Sequence, residues 1–196
     1  MFENKKFARY TIIFLVLGVV FNFFFSGLQN DHLNILTPYL QENFGWDDLT
    51  ITNPVSVGAT VAIVLYLFLG LAFVKFGVKK VLVPSILIVA LSCVGLATAA
   101  ENYIIYSISL FLIRTLVLPF QMGCFMLATN WFIKYRGRVL GIITAGSPLF
   151  SVVGIGLLTA LVNRFALSSY YIIAAALLLI AIVTAFGIKD TPEEAE

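Results

Sequence analysis

Apolar residues run almost unbroken through 11–24, TIIFLVLGVVFNFF, and then give way at 25–40, FSGLQNDHLNILTPYL, where Gln29, Asn30, Asp31, His32 and Asn34 crowd into six positions. Further apolar runs lie near 50–73, 81–100, 103–132, 139–162 and 169–188, which with a first run at 10–40 makes six. Each approaches the roughly 20 residues that a helix needs to cross a bilayer core. No strict alternation of apolar and polar positions occurs, so the pattern predicts helices and not a β-barrel. The expected fold is therefore all-α: a polytopic membrane bundle of six transmembrane helices over 1–188. The acidic segment KDTPEEAE at 189–196 is expected to be a cytoplasmic tail or the start of a connecting loop.

Composition agrees with this reading. The chain has 196 residues, of which 61% are hydrophobic and 11% charged, whereas a soluble domain has about a quarter of its residues charged. The net charge of +2 is unevenly placed: Lys5, Lys6 and Arg9 precede the first run, Lys75, Lys79 and Lys80 follow the second, Lys134, Arg136 and Arg138 follow the fourth, and Lys189 follows the sixth. The alternate connections hold Glu42, Asp47, Asp48 and Glu101, with Arg164 the one basic residue among them. By the positive-inside rule both termini are expected in the cytoplasm, most simply at the plasma membrane. No small-residue cleavage site follows the first run, which reads as a retained helix.

Chemistry-bearing motifs are scarce. Cys93 and Cys124 sit inside apolar runs without metal-ligand spacing, and they read as packing residues. Aquaporin-type channels need two Asn-Pro-Ala half-helices, but this chain has one TNPVS at Asn53-Pro54, better read as a helix start. An intramembrane serine protease needs a partner histidine for its serine; His32 is the sole histidine and no GxSxG occurs. No HExxH, Walker loop or GxGxxG is present. Enzymatic chemistry, a cofactor and a nucleic-acid partner are thus not expected.

Two stretches carry a resemblance. GLAFVKFGVKK at 70–80 resembles the loop signature of the major facilitator superfamily, with Gly70, Lys75, Gly77, Lys79 and Lys80 fitting and Val74 standing where the family has an acid. NWFIKYRGRVLGIITAG at 130–146, which contains Arg136, Gly137 and Arg138, is similar to the corresponding loop of the oxalate/formate antiporter and monocarboxylate-like branch. Gly27, Pro38 and the FGW at 44–46 keep that branch's spacing. The resemblance implies one half of a transporter, a 3+3 inverted repeat that pairs with a second six-helix half, or with another copy of itself in a homodimer. It also implies a small-molecule substrate, an organic anion in this branch, moved by alternating access with a proton or counter-substrate. The runner-up reading is a non-transporting half that serves as a scaffold or partner subunit, which the missing acid at Val74 favours.

The polar stretch now has two readings. Either the first helix ends near Leu28 and an external loop follows, or it continues to about Leu40. At about 100° per residue Asn22, Ser26, Gln29, Asn30, Asn34 and Thr37 fall within about 140°, a continuous stripe that favours the long helix. Such a stripe is expected to face protein or a water-filled cavity. Arg114, about eleven residues into the fourth run, lies at a depth similar to Asp31 at about 1.5 Å per residue. An unpaired mid-membrane arginine costs about 2.5–3.5 kcal/mol, so an anion is expected beside it. That anion is either Asp31 permanently, or a substrate that displaces Asp31. The candidate cavity residues are accordingly Asn30, Asp31, His32, Asn34, Arg114 and Gln121.

Supporting positions carry expectations of their own. Pro119 is expected to kink the fourth helix. Gly137, Gly141 and Ala145, spaced by four, are expected to pack the fifth helix against a neighbour, and the Gly146–Pro148 pair in TAGSPLF reads as packing. Arg136 and Arg138 are expected to anchor topology, with Glu193 or Glu194 as substitute partners for a cytoplasmic latch.

Overall fold

The computed structural model describes residues 5–99, 102–132 and 135–187, with 5–10 and Asn30 as backbone only. Lys134, Glu101, Lys189, the acidic segment 189–196 and the Asn30 side chain, each with an expectation above, lie outside the described residues. Within them, helical runs long and apolar enough to cross a membrane are Thr11–Phe44, Asp48–Phe76, Val78–Thr98, Tyr103–Trp131 and Arg136–Gly187, five in all. The expected fifth and sixth spans share the last run of 52 residues. Ala166 breaks that run at φ 54, and a 3-10 turn, Ala166–Ser168, follows.

The first run contains α1 (Lys5–Ser26), a π-turn (Gly27–Asp31) and α2 (His32–Phe44). The helix thus continues past Leu28 as the polar stripe indicated, and it ends where Gly45 takes a left-handed conformation at φ 64. Asp47 then caps α3 (Asp48–Phe76) by accepting a 3.0 Å hydrogen bond from the Thr50 amide. Trp46 fixes this corner, with its ring centroid 4.9 Å from that of Tyr106 and 5.6 Å from that of Tyr103. Gly77, at φ 86 and ψ 155, joins α3 to α4 (Val78–Thr98) in a conformation that side chains oppose. The loop motif's second glycine is therefore a backbone requirement.

The fourth run divides into α5 (Tyr103–Leu116) and α6 (Leu118–Trp131) at Val117, with Pro119 at the start of α6. This is the expected kink: Pro119 has no N–H to continue the ladder, and the Phe120 amide bonds Val117 O at 3.1 Å instead. The last run holds α7 (Arg136–Thr144), α8 (Gly146–Leu149), a second π-turn (Phe150–Gly154), α9 (Ile155–Phe165) and α10 (Ser169–Gly187).

Packing follows small residues, as expected where lipid removes the hydrophobic drive between helices. The α1 helix lies against α6, α7 and α8, α4 lies between α5 and α10, and α2 meets α9. Gly146 sits on the backbone of α1, where a Cβ would collide with Val19 O, and Ser147 Oγ donates to Ser26 Oγ at 3.0 Å. The Gly146 expectation holds. The glycine stripe expectation does not: Gly137, Gly141 and Ala145 are exposed, and open space surrounds both glycines. Four-residue spacing placed them on one face, but that face points away from the bundle. The α3 run is the least enclosed, with Leu67, Phe68 and Leu71 among its exposed residues.

Candidate functional site

The first π-turn is where elements distant in sequence converge. A π-turn carries i→i+5 bonding in place of i→i+4, so it widens the helix and re-aims its carbonyls. Gly27, at its start, lies under the ring of Phe150 from the second π-turn, where a Cβ would overlap that ring. His32 Nδ1 sits 3.2 Å from Gly27 O, and the Arg114 guanidinium donates from Nη1 to Gln29 O at 3.1 Å. Two side chains thus hold carbonyls of one turn.

Arg114 is placed by its own helix and by α3. It occupies the last turn of α5, before the Val117 break. Gly58 of α3 makes room for its stem, because a Cβ there would stand 3.1 Å from Arg114 Cβ. Thr115 beside it donates to Gly58 O at 3.4 Å. The Tyr66 phenol of α3 is close enough to interact electrostatically with the guanidinium.

Among the described residues no ion pair neutralises Arg114. The expected Asp31 partner is not in place: the guanidinium goes to the Gln29 carbonyl, and the half-buried Asp31 makes no hydrogen bond among the described residues. Arg114 Nε is buried without a partner. The arginine therefore holds a charge and at least one donor that the described residues leave unanswered.

The other expected cavity residues divide. Gln121 is half-buried and Asn34 is exposed, neither with a hydrogen bond among the described residues. His32 does not open to a cavity: it is 2% exposed, and its ring meets Tyr170 of α10 edge-on at 6.2 Å. The polar stripe is similarly partitioned. Asn22 is fully buried with its amide on Gly18 O at 3.1 Å, Ser26 bonds α8, and Thr37 bonds Leu33 O at 2.8 Å.

Gly58 and Tyr66 were not singled out from the sequence. Their signal is faint: a lone tyrosine within VAIVLYLFLG and a glycine within SVGATVA. At the basic loops, Gly70 has open space around it, Lys75 is exposed with Nζ 5.4 Å from the Phe76 ring centroid, and Lys80 is exposed. Lys79 is half-buried, while Arg136, Gly137 and Arg138 lie exposed in the first turn of α7. Val74, in the acid's place, is 75% exposed.

This architecture, apolar helical runs joined by short basic turns around an intramembrane arginine, is met by a family comparison. The model of the Major Facilitator Superfamily matches residues 15–196. No curated protein and no solved structure matches the chain. The match takes in nearly the whole sequence, every described membrane-crossing run and both loop signatures, and the chain belongs to the Major Facilitator Superfamily of membrane transporters.

Proposed function

We propose that the chain forms one half of a secondary carrier for a small organic anion, with Arg114 as the anion-binding group. The observation that carries this reading is the state of the guanidinium: intramembrane, half-buried, bonded to a neutral carbonyl and free of a carboxylate partner among the described residues. A backbone carbonyl is a weaker partner for the guanidinium than a carboxylate, which adds a full opposite charge and can accept two parallel N–H bonds. An incoming carboxylate displaces Gln29 O at a net gain, whereas a resident Asp31 pair would have to be broken first. The loop resemblance favours monocarboxylates or dicarboxylates, exchanged or moved with a proton.

Six spans in a 3+3 arrangement are part of the same proposal. An unbroken 52-residue helix would be about 78 Å long, more than twice the ~30 Å bilayer core. The break at Ala166 supports two spans there, with both termini on the cytoplasmic face of the plasma membrane. A second six-helix half, or a parallel second copy, then supplies the opposite cavity wall. The basic loop residues Lys75, Lys79, Lys80, Arg136 and Arg138 act there as topology anchors.

The test is exchange of labelled carboxylates in proteoliposomes holding the chain as a parallel pair or together with its second six-helix half. Wild type is expected to exchange them and Arg114→Gln to lose exchange, with partial recovery in Arg114→Lys. Undiminished exchange in Arg114→Gln would refute the assignment. The scaffold reading rests on Val74: an apolar, exposed residue replaces the loop acid. It predicts no exchange by any variant, together with co-purification of a transporter partner.

A further inference from the structure

Beside the first π-turn, with Arg114 outside its lining, lies an open groove of about 170 Å³ between the first run, α9 and α10. Gly27 and Phe150 form its floor, Leu157 and Leu161 one wall, and Ile172 and Ala176 the other. The lining is apolar throughout, so nothing in it would orient a polar substrate. Its geometry matches one leaflet of a membrane. Leu157, Leu161 and Arg164 are spaced i, i+4 and i+7, which places Arg164 on the groove's side of α9, about one turn beyond Leu161. From Gly154, at the deep end of the groove, to Arg164 is about 15 Å at 1.5 Å per residue, which is half the ~30 Å core.

Arg164 is exposed, its guanidinium carbon 5.4 Å from the Phe165 ring centroid. It is also the basic residue that stands alone against the sidedness of the other loops. Topology does not account for it, and charge complementarity does: an arginine at headgroup height above an apolar slot fits a phosphate carrying a hydrocarbon tail.

We propose that this groove binds one acyl chain of a glycerophospholipid whose phosphate pairs with Arg164. The chain lies against Phe150 and Gly27, and so touches the same turn that Arg114 holds through Gln29 O. The exposed α3 residues Leu67 and Leu71 lie outside this groove although the exposed Lys75 lies about one turn beyond Leu71, so they supply an internal reference for a basic residue without a slot.

The experiment is photocrosslinking of the full chain in vesicles of phosphatidylglycerol and phosphatidylcholine. These carry a trace of phosphatidylglycerol with a diazirine midway along one acyl chain, and labelled peptides are mapped. Label is expected to concentrate on 154–161 and 172–176 above the level on α3. Arg164→Gln should lower it about five-fold, the factor corresponding to about 1 kcal/mol, and Arg164→Lys should restore most of it. Ala176→Phe, which fills the slot, should remove it while α3 labelling stays constant. Groove labelling no higher than on α3 would overturn the site, including the case in which a second half covers it. Loss in Ala176→Phe but not in Arg164→Gln would overturn the phospholipid assignment and leave an unanchored apolar occupant. Because Arg164 is exposed, its variants keep the fold and the test stands even where Ala176→Phe does not accumulate.

Discussion

Replacing Gly146 by alanine tests the contact on which the bundle turns. A Cβ at this position would overlap Val19 O, stand 2.9 Å from Phe23 N and lie 3.0 Å from Asn22 Cβ. Two of these are backbone atoms of α1, which cannot rotate aside as a side-chain terminus can. Relief requires α8 and α1 to separate. Overpacking of this kind costs about 1–3 kcal/mol, or about 5- to 150-fold in the folded-to-unfolded ratio. Equilibrium unfolding in mixed dodecyl maltoside and sodium dodecyl sulfate micelles, followed by circular dichroism, measures it. A disulfide reporter reads the separation directly: Ser26 and Ser147 stand with Oγ atoms 3.0 Å apart, and Ser26→Cys with Ser147→Cys should bridge readily. Adding Gly146→Ala should slow that bridge. Gly141→Ala is the control, because open space around Gly141 leaves only the helix-propensity gain of up to about 1 kcal/mol. An unchanged midpoint in Gly146→Ala, or a larger loss in Gly141→Ala, would refute the assigned interface.

Three further outcomes are expected. Gly77→Ala should destabilise by about 1–3 kcal/mol in the same titration, because φ 86 with ψ 155 is a region essentially reserved for glycine. Tyr106→Phe should cost about 0.5–1.5 kcal/mol by losing the buried 3.1 Å bond from its hydroxyl to Ile51 O; no change in midpoint would show that bond to be idle. The hydrogen bonds from Thr50 hold the Asp47 carboxyl below its ordinary value of 3.8. Its cap on α3 is therefore fully present above that pH and is lost as pH falls through the lower folded value. Hydrogen exchange at the Thr50 amide should stay slow down to pH 3.8 and accelerate below it in wild type, and should show no such step in Asp47→Asn.

The first four spans were legible because bilayer thickness converts directly into run length, whereas the expected fifth and sixth share one run, Arg136–Gly187; the long first helix was legible because polar residues kept helical spacing beyond Leu28. The Pro119 break needed only the missing N–H. The site was less legible. A uniform turn angle carried from Asn22 to Thr37 passes through Gly27–Asp31, and a π-turn holds more residues per turn, so faces computed on either side no longer align. That is why Asn22 is buried while Asn34 is exposed. Matched depth suggested Asp31 as the partner of Arg114, but depth does not fix azimuth, and the guanidinium found a backbone carbonyl that sequence does not display. The glycines at 137 and 141 misled for the same reason: spacing tells which residues share a face, and only tertiary packing tells where that face points.

The interruptions of the helices share one level. Arg114, one turn before the Val117 break, touches the first π-turn through Gln29, and Phe150 of the second π-turn covers Gly27 of the first. Regular helix is stiff along its axis, and bending concentrates where the i→i−4 ladder is interrupted. Three rods notched at the same height gather their irregular backbone into one layer of the bundle. Arg114, whose bond to Gln29 O joins the fourth run to the first π-turn, ties that layer together.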